Sequence, residues 1–327
     1  MSIDVHNHFY PASYLKALRT GKYRAKLSSV GGSDPILRYA GDYNILVPGH
    51  RELETRLYDM DQNGIETHIL SLTTPGVHIE EAKAGTALAQ KVNDEFARIR
   101  QDHPGRFYAF AALPLQDPEA AARELERAVK KLGLAGATLF TNVENQTLDD
   151  PAFDSLFSTA QTLDVPLFLH PTTPKEHGSL ARYRLVPLLG FLFDTTTAVA
   201  RLIFAGVFER YPKLKLIASH LGGTLPYVAE RLDRGYLAYP ELWEEIPQRP
   251  SIYLRRLFYD TVSFDPKVLE FVRTALGAEQ MLLGSDYPHQ IGDMRQALSA
   301  LDQMAISQAE RKRIQSINAQ SLFGIGN

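Results

Sequence analysis

Cysteine is absent from the 327 residues, which removes disulfide frameworks, thiolate metal sites and cysteine nucleophiles together. Any metal or acid–base chemistry must fall to histidine and carboxylate. An excess of charge is lacking too: 35 Lys and Arg stand against 38 Asp and Glu, a net charge of -3. Without a basic surplus there is no electrostatic footprint for nucleic acid or an acidic membrane surface. Long hydrophobic runs are scarce. The most apolar stretch, Leu185 to Phe193, is broken by Pro187 and Gly190 and falls short of the roughly 18 uninterrupted apolar residues of a membrane span. Met1-Ser2-Ile3-Asp4 shows neither the basic nor the apolar region of a signal peptide. The expectation is a cytoplasmic protein whose partner is a small molecule.

What the chain does have is alternation. Short β-rich runs recur at Ile3–His6, Thr67–Leu72, Phe107–Leu113, Ala135–Phe140, Val165–His170, Leu214–His220, Leu257–Thr261 and Met281–Gly284. Each has the length and near-continuous apolarity of a strand buried on both faces. Between them apolar residues take helical spacing, as in Leu88, Val92, Phe96 and Ile99. Asp117-Pro118, Asp150-Pro151 and Asp265-Pro266 each set a capping acceptor before a proline at the first helical position. Gly133 and Gly277 stand where a left-handed residue would end a helix. Eight strand–helix units predict a single (β/α)8 TIM barrel over residues 1–327. A doubly wound open sheet competes, but no glycine-rich phosphate loop follows the first strand. Two long segments, about 9–50 and 239–256, are expected as loops that build and cover the site.

The chemistry-bearing residues gather at strand ends. His6 and His8 in Asp4-Val5-His6-Asn7-His8 are two apart, so on a strand both project to one face and can chelate one cation. Asp4 falls one step back on that face, placed to orient a ligand. His170, His220 and Asp286 each end or follow another strand. A histidine at one strand end is most often a packing residue. Four histidines and an aspartate at the C-terminal ends of strands one, five, six and eight converge on one cavity in a barrel. His50, His103, His68 and His78 fit packing or loop contexts; His177 and His289 occupy post-strand loops from which they could touch substrate, although each reads first as a solvated loop histidine.

Those residues sit inside an ordered series: Asp4-Val5-His6-Asn7-His8-Phe9, Arg56-Leu57-Tyr58-Asp59-Met60-Asp61, Leu169-His170-Pro171, Ser219-His220-Leu221-Gly222-Gly223 and Leu283-Gly284-Ser285-Asp286-Tyr287-Pro288. The series resembles, nearly end to end, the decarboxylase branch of the amidohydrolase superfamily. That is the branch of α-amino-β-carboxymuconate-ε-semialdehyde decarboxylase and γ-resorcylate decarboxylase. The resemblance implies a homodimer with one divalent ion, zinc or else manganese, held by His6, His8, His170 and Asp286. It implies that His220 serves acid–base chemistry and that Arg231 meets substrate carboxylate across the dimer. The apolar run around Leu185 to Phe193 is a candidate interface. The histidine at position 6 is similar to the muconate-type enzymes, whereas resorcylate-type enzymes tend to have glutamate there. An arginine that muconate-type enzymes carry after the first strand has no match near Asp42, which leaves Arg38 or Arg51 to take that role through a shifted register.

The reaction this implies is non-oxidative decarboxylation of a small unsaturated or aromatic acid. The metal acts as a Lewis acid, and Asp286 or His220 carries the proton. The alternative on the same scaffold is hydrolysis of a lactone or amide, with His220 stabilising the oxyanion. A non-catalytic barrel is disfavoured because every ligand position is filled.

Overall fold

The computed structural model describes residues 1–29, 34–144 and 146–326. All eight expected strands are present: β1 (Ile3–His8), β2 (Thr67–Ser71), β3 (Phe107–Ala109), β4 (Ala137–Phe140), β5 (Leu167–His170), β6 (Leu216–Ala218), β7 (Phe258–Asp260) and β8 (Met281–Leu282). Continuous parallel ladders join them in two arcs, β1-β2-β3 and β4-β5-β6-β7-β8. At one seam Ala111 bridges Ala137, and the Ala135 N–H donates to Ala109 O at 2.9 Å. At the other Asn7 bridges Tyr287, and the Val5 N–H donates to Leu283 O at 2.9 Å. The seams complete a ring of parallel strands, the (β/α)8 arrangement.

The strands are apolar throughout because both faces are covered: every residue of β1, β2, β4 and β5 is buried. Inside the ring Ile3, Val5, Ile69, Phe110, Phe168 and Leu282 pack into one cluster with Leu322 and Ile325 of the C-terminus. This packed interior plugs one end of the barrel. Side chains at the C-terminal strand ends therefore face a cavity at the other end only. Outside, Leu88, Val92, Phe96 and Ile99 form the buried stripe of the helix Ala82–Asp102. The three Asp-Pro caps behave as expected: Asp117 accepts from Ala120 N–H at 3.0 Å, Asp150 from Ala152 N–H at 2.9 Å and Asp265 from Lys267 N–H at 2.9 Å. Gly133 has φ +69°, as a left-handed cap requires. Gly277 differs, with φ 105° and ψ 147°, and turns the chain out of the helix in a positive-φ conformation other than the left-handed helical one.

The segment 9–50, read from sequence as a loop, carries regular structure, and its residues 30–33 lie outside the described residues. It holds a helix, Ala12–Leu18, and an antiparallel sheet of Lys26–Ser28, Ile36–Tyr39 and Asp42–Ile45. The segment 239–256 likewise contains the short helix Pro250–Leu254. Helical turns from Val186 to Phe204 span 19 residues of mean hydropathy 1.4, long and apolar enough by length and composition to cross a membrane. Here Val199, Leu202 and Ile203 bury against the barrel, and Arg201 pairs with Asp149 at 2.7 Å.

Candidate active site

β1 delivers His6 and His8 to the mouth of the ring, both buried. Their Nε2 atoms lie 3.1 Å apart. Asp286, just beyond β8, places Oδ1 3.3 Å from His6 Nε2 and 3.0 Å from His8 Nε2. His170 ends β5, with its ring 4.9 Å from that of His8 and 5.4 Å from that of His6. One ligand atom from each of His6, His170, His220 and Asp286 lies within 4.8 Å of the others. The structure thus brings together all five residues that the sequence singled out.

What sits behind each imidazole fixes which nitrogen faces inward. His6 Nδ1 is 2.6 Å from Asp260 Oδ2, so the proton belongs on Nδ1 and the Nε2 lone pair points to the centre. His8 Nδ1 is 2.8 Å from Ser71 Oγ, which itself donates to Asn7 O at 2.8 Å, so that imidazole also donates from Nδ1. His170 donates from Nδ1 to Pro171 O at 2.7 Å, and its buried Nε2 has no partner among the described residues. With Nδ1 of each ring committed outward, three imidazole Nε2 atoms and a carboxylate oxygen can all act as acceptors towards one point. Such an arrangement calls for a cation at its centre. Ligand atoms around a tetrahedral ion with bonds of about 2.0–2.1 Å are about 3.3 Å apart, close to the 3.0–3.3 Å found among His6, His8 and Asp286, and a His170 nitrogen lies within 4.8 Å of His6 and Asp286.

The electrostatics mark the same point as a place for positive charge. Burial opposes charging of His6, but Asp260 and Asp286 outweigh it and push its imidazole up to about 10, so without an ion there Nε2 would carry a second proton, which a bound ion would displace. Burial holds His8 and His170 well below the ordinary histidine range. Burial also pushes the Asp286 carboxyl up, but hydrogen bonds to His6 and His8 prevail and hold it well below the usual carboxylate range.

Asp260, unremarked in the sequence, is the hub. Besides His6 it accepts from the backbone N–H of His220 at 3.0 Å, Leu221 at 3.1 Å and Val262 at 3.0 Å. The expected strand Leu214–His220 stops at Ala218, and the chain turns left-handed through His220 (φ 51°) and Leu221 (φ 56°). Non-glycine residues resist that conformation, and the Asp260 carboxylate holds it. The turn carries His220 into the site, with its Nδ1 left without a partner among the described residues. Asp4 does not orient a ligand ring directly. It accepts from Ser285 Oγ at 2.5 Å and the His6 N–H at 3.0 Å, tying β1 to the turn that bears Asp286. Arg56, fully buried, donates to Asn7 Oδ1 at 2.8 Å and to the His8 carbonyl.

A cavity of about 600 Å³ opens over the cluster, lined by His170, His220 and Asp286 and by apolar Phe191, Leu192 and Val262. His289 also lines it, with its ring 4.8 Å from that of His8 and 5.0 Å from that of His50. Its reading as a solvated loop histidine is therefore corrected: the turn after β8 folds it back over β1. Neither Arg38 nor Arg51 replaces the missing arginine. Arg38 is exposed, and Arg51 is tied to Asp34 at 3.0 Å and Leu46 O at 3.1 Å. The cavity's guanidinium is Arg184. Arg231 lies exposed on the helix Leu225–Ala238, outside the cavity lining.

Residues 3–325 match the family described as amidohydrolase. The chain belongs to the amidohydrolase family. It is similar to gamma-resorcylate decarboxylase of Polaromonas sp., 36% identical over 83% of this chain and 90% of that one. It is also similar to 2-amino-3-carboxymuconate-6-semialdehyde decarboxylase of Dictyostelium discoideum, 32% identical over 74% of this chain and 68% of that one. A solved dihydroxybenzoic acid decarboxylase from Polaromonas sp., with bound manganese and the inhibitor 2-nitroresorcinol, superposes with TM-score 0.79 at 30% identity, covering 100% of this chain and 97% of that one. The chain is a carboxy-lyase of the amidohydrolase superfamily, and decarboxylation prevails over the hydrolytic alternative.

Proposed function

We propose that the protein removes the carboxyl group of a hydroxylated aromatic acid, using one divalent ion held by His6, His8, His170 and Asp286. The observation that carries this reading is the convergence of three bare imidazole nitrogens and a carboxylate beneath an apolar-walled cavity. The manganese and aromatic ligand of the solved relative support it. Zinc is our assignment for this chain, because three imidazoles and one carboxylate at this spacing suit a tetrahedral ion. When bound, the ion supplies a Lewis acid for substrate oxygens.

The chain's own residues do the rest. Phe191, Leu192 and Val262 take the ring's faces and exclude water from it. Breaking the bond to the carboxyl carbon leaves an electron pair on the ring carbon, so a proton must arrive there as carbon dioxide departs. His220 is placed to deliver it, since its ring lines the cavity and its Nδ1 has no partner among the described residues; burial pulls its imidazole down to about 4, so it gives up a proton readily and does not hold an extra one. Solvent then returns a proton to the imidazole. Asp286 is the poorer carrier, because Oδ1 is engaged by both His6 and His8. A homodimer is part of the proposal, supported by exposed Leu188, Leu189 and Phe193 on one helical stretch, with Arg231 reaching the partner's cavity.

The test is incubation of the metal-loaded protein with hydroxybenzoates, a muconate semialdehyde and a lactone panel, with carbon dioxide release measured. Release from a hydroxybenzoate is expected. Ring opening of a lactone with no carbon dioxide from any acid would sink the reading. Asp260 gives a separate check. Asp260→Asn loses the charge that holds the His6 proton on Nδ1 and mismatches one of its backbone donors. Metal affinity should fall by about 10–100-fold, read by competition with a chelating dye. Unchanged affinity would show that Asp260 does not support the ligand.

A further inference from the structure

Away from the histidine cluster the cavity lining carries two charged side chains, Asp42 and Arg184. Asp42 opens the strand Asp42–Ile45 of the antiparallel sheet, and Arg184 lies two residues before the helical turn that starts at Val186. Arg184 Nη1 donates to Asp42 Oδ1 at 2.5 Å, and the guanidinium carbon lies 4.2 Å from the centre of the Tyr43 ring. One edge and one face of the guanidinium are thereby fixed. Nε has no hydrogen-bond partner among the described residues.

The position of the pair along the cavity follows from exposure. The Arg184 side chain is 41% exposed and that of Asp42 5%, whereas those of His6 and His8 are at 0% and that of Asp286 at 4%. Arg184 therefore stands at the open end, with the buried Asp42 carboxylate beneath it, and the cluster stands at the closed end. The backbone is committed to this placement. Tyr183 and Arg184 are consecutive left-handed residues, with φ 60° and 58°. Strain of this kind survives only where contacts fix it, and such places gather at ligand sites. Here the Arg184 side chain is anchored by the ion pair with Asp42 and by the Tyr43 ring.

We propose that Asp42 and Arg184 are the specificity element of the cavity. They select an aromatic acid bearing a hydroxyl opposite its reacting carboxylate and disfavour a second carboxylate at that position. The inference rests on the decarboxylase reading for which end of the substrate enters first. A hydroxyl is donor and acceptor at once, so it takes the Arg184 Nε–H and gives its own hydrogen to the Asp42 carboxylate. A carboxylate can only accept, and it meets a pair of zero net charge with a negative group beside it. A bare ring hydrogen leaves both polar groups without a ligand partner. Hydrogen bonds to charged groups discriminate strongly between such analogues.

Three acids isolate the effect, since they differ only at position 4: 2-hydroxybenzoate, 2,4-dihydroxybenzoate and 2-hydroxyterephthalate. Both kcat/KM for carbon dioxide release and Kd by calorimetry are measured on the metal-loaded protein. The wild type should favour the 4-hydroxyl acid over the other two by about tenfold or more. Arg184→Met should cut the hydroxyl-to-hydrogen ratio several-fold, since the Asp42 carboxylate alone remains to bind the hydroxyl. Asp42→Asn should shift the hydroxyl-to-carboxylate ratio towards the diacid by about tenfold, because it leaves the arginine charge unopposed. A wild type that prefers 2-hydroxyterephthalate, or a ratio unmoved in both variants, overturns the inference. Binding in the expected order without carbon dioxide release upholds the selectivity and overturns the decarboxylase reading instead.

Discussion

Asp286→Asn is expected to empty the metal site and to lower turnover by on the order of 10³-fold or more. The substitution keeps the side-chain shape, and asparagine tolerates the left-handed backbone found at Asp286, φ 56°. The backbone frame also survives, since the Asp286 N–H donates to His6 O at 2.8 Å whatever the side chain. What goes is the one negative charge placed within 3.0 Å and 3.3 Å of two imidazole nitrogens. The imidazoles then face a neutral amide that offsets no cation charge and sets an N–H pair against lone pairs. Lewis-acid stabilisation by a bound ion contributes several kcal/mol to the transition state, and each ~1.4 kcal/mol is a factor of ten. Elemental analysis of the purified variant and its turnover number are the measurements. A variant that carries one equivalent of metal and turns over normally would remove Asp286 from the ligand set. His170→Ala serves as the parallel case on another strand.

The residues of the cluster were legible because a barrel brings strand ends together whatever their separation in sequence. His6 and Asp286 are 280 positions apart, yet each stands at the end of a strand that can be read from its apolar run. The residues that orient the ligands were not legible in the same way. Asp260 ends a short strand in Phe258-Tyr259-Asp260, and nothing in its neighbourhood marks it off from an ordinary polar strand terminus. Its importance comes from β6 and β7 being neighbours, which puts its carboxylate beneath the turn at His220. Arg184 was hidden for a different reason. It belongs to an irregular stretch, and its partner Asp42 lies 142 residues earlier, so only the folded chain brings the two together. The segment 9–50 was misread as a loop because its strands are short and part-exposed, so they lack the apolar continuity that marked the barrel strands.

His220 separates proton delivery from metal binding. Asparagine in its place keeps a residue that accepts the φ of 51°, and the Asp260 contacts to the backbone N–H groups of His220 and Leu221 are retained. Only the imidazole is removed. If it delivers the proton, turnover should fall by about 10²–10⁴-fold, the range for loss of one acid–base group, with one equivalent of metal still bound and KM little changed. The vacated volume beside His170, whose ring centre is 5.5 Å away, opens to the cavity, so added imidazole should restore part of the lost rate with saturation. A residue that only shaped the site would give no such rescue. The alternative is equally sharp in its signature. One nitrogen of His220 lies within 4.8 Å of candidate ligand atoms from His6, His170 and Asp286, so a fifth ligand at this position would show as metal lost together with activity. In that event the proton falls to Asp286, whose second carboxylate oxygen is not engaged by His6 or His8.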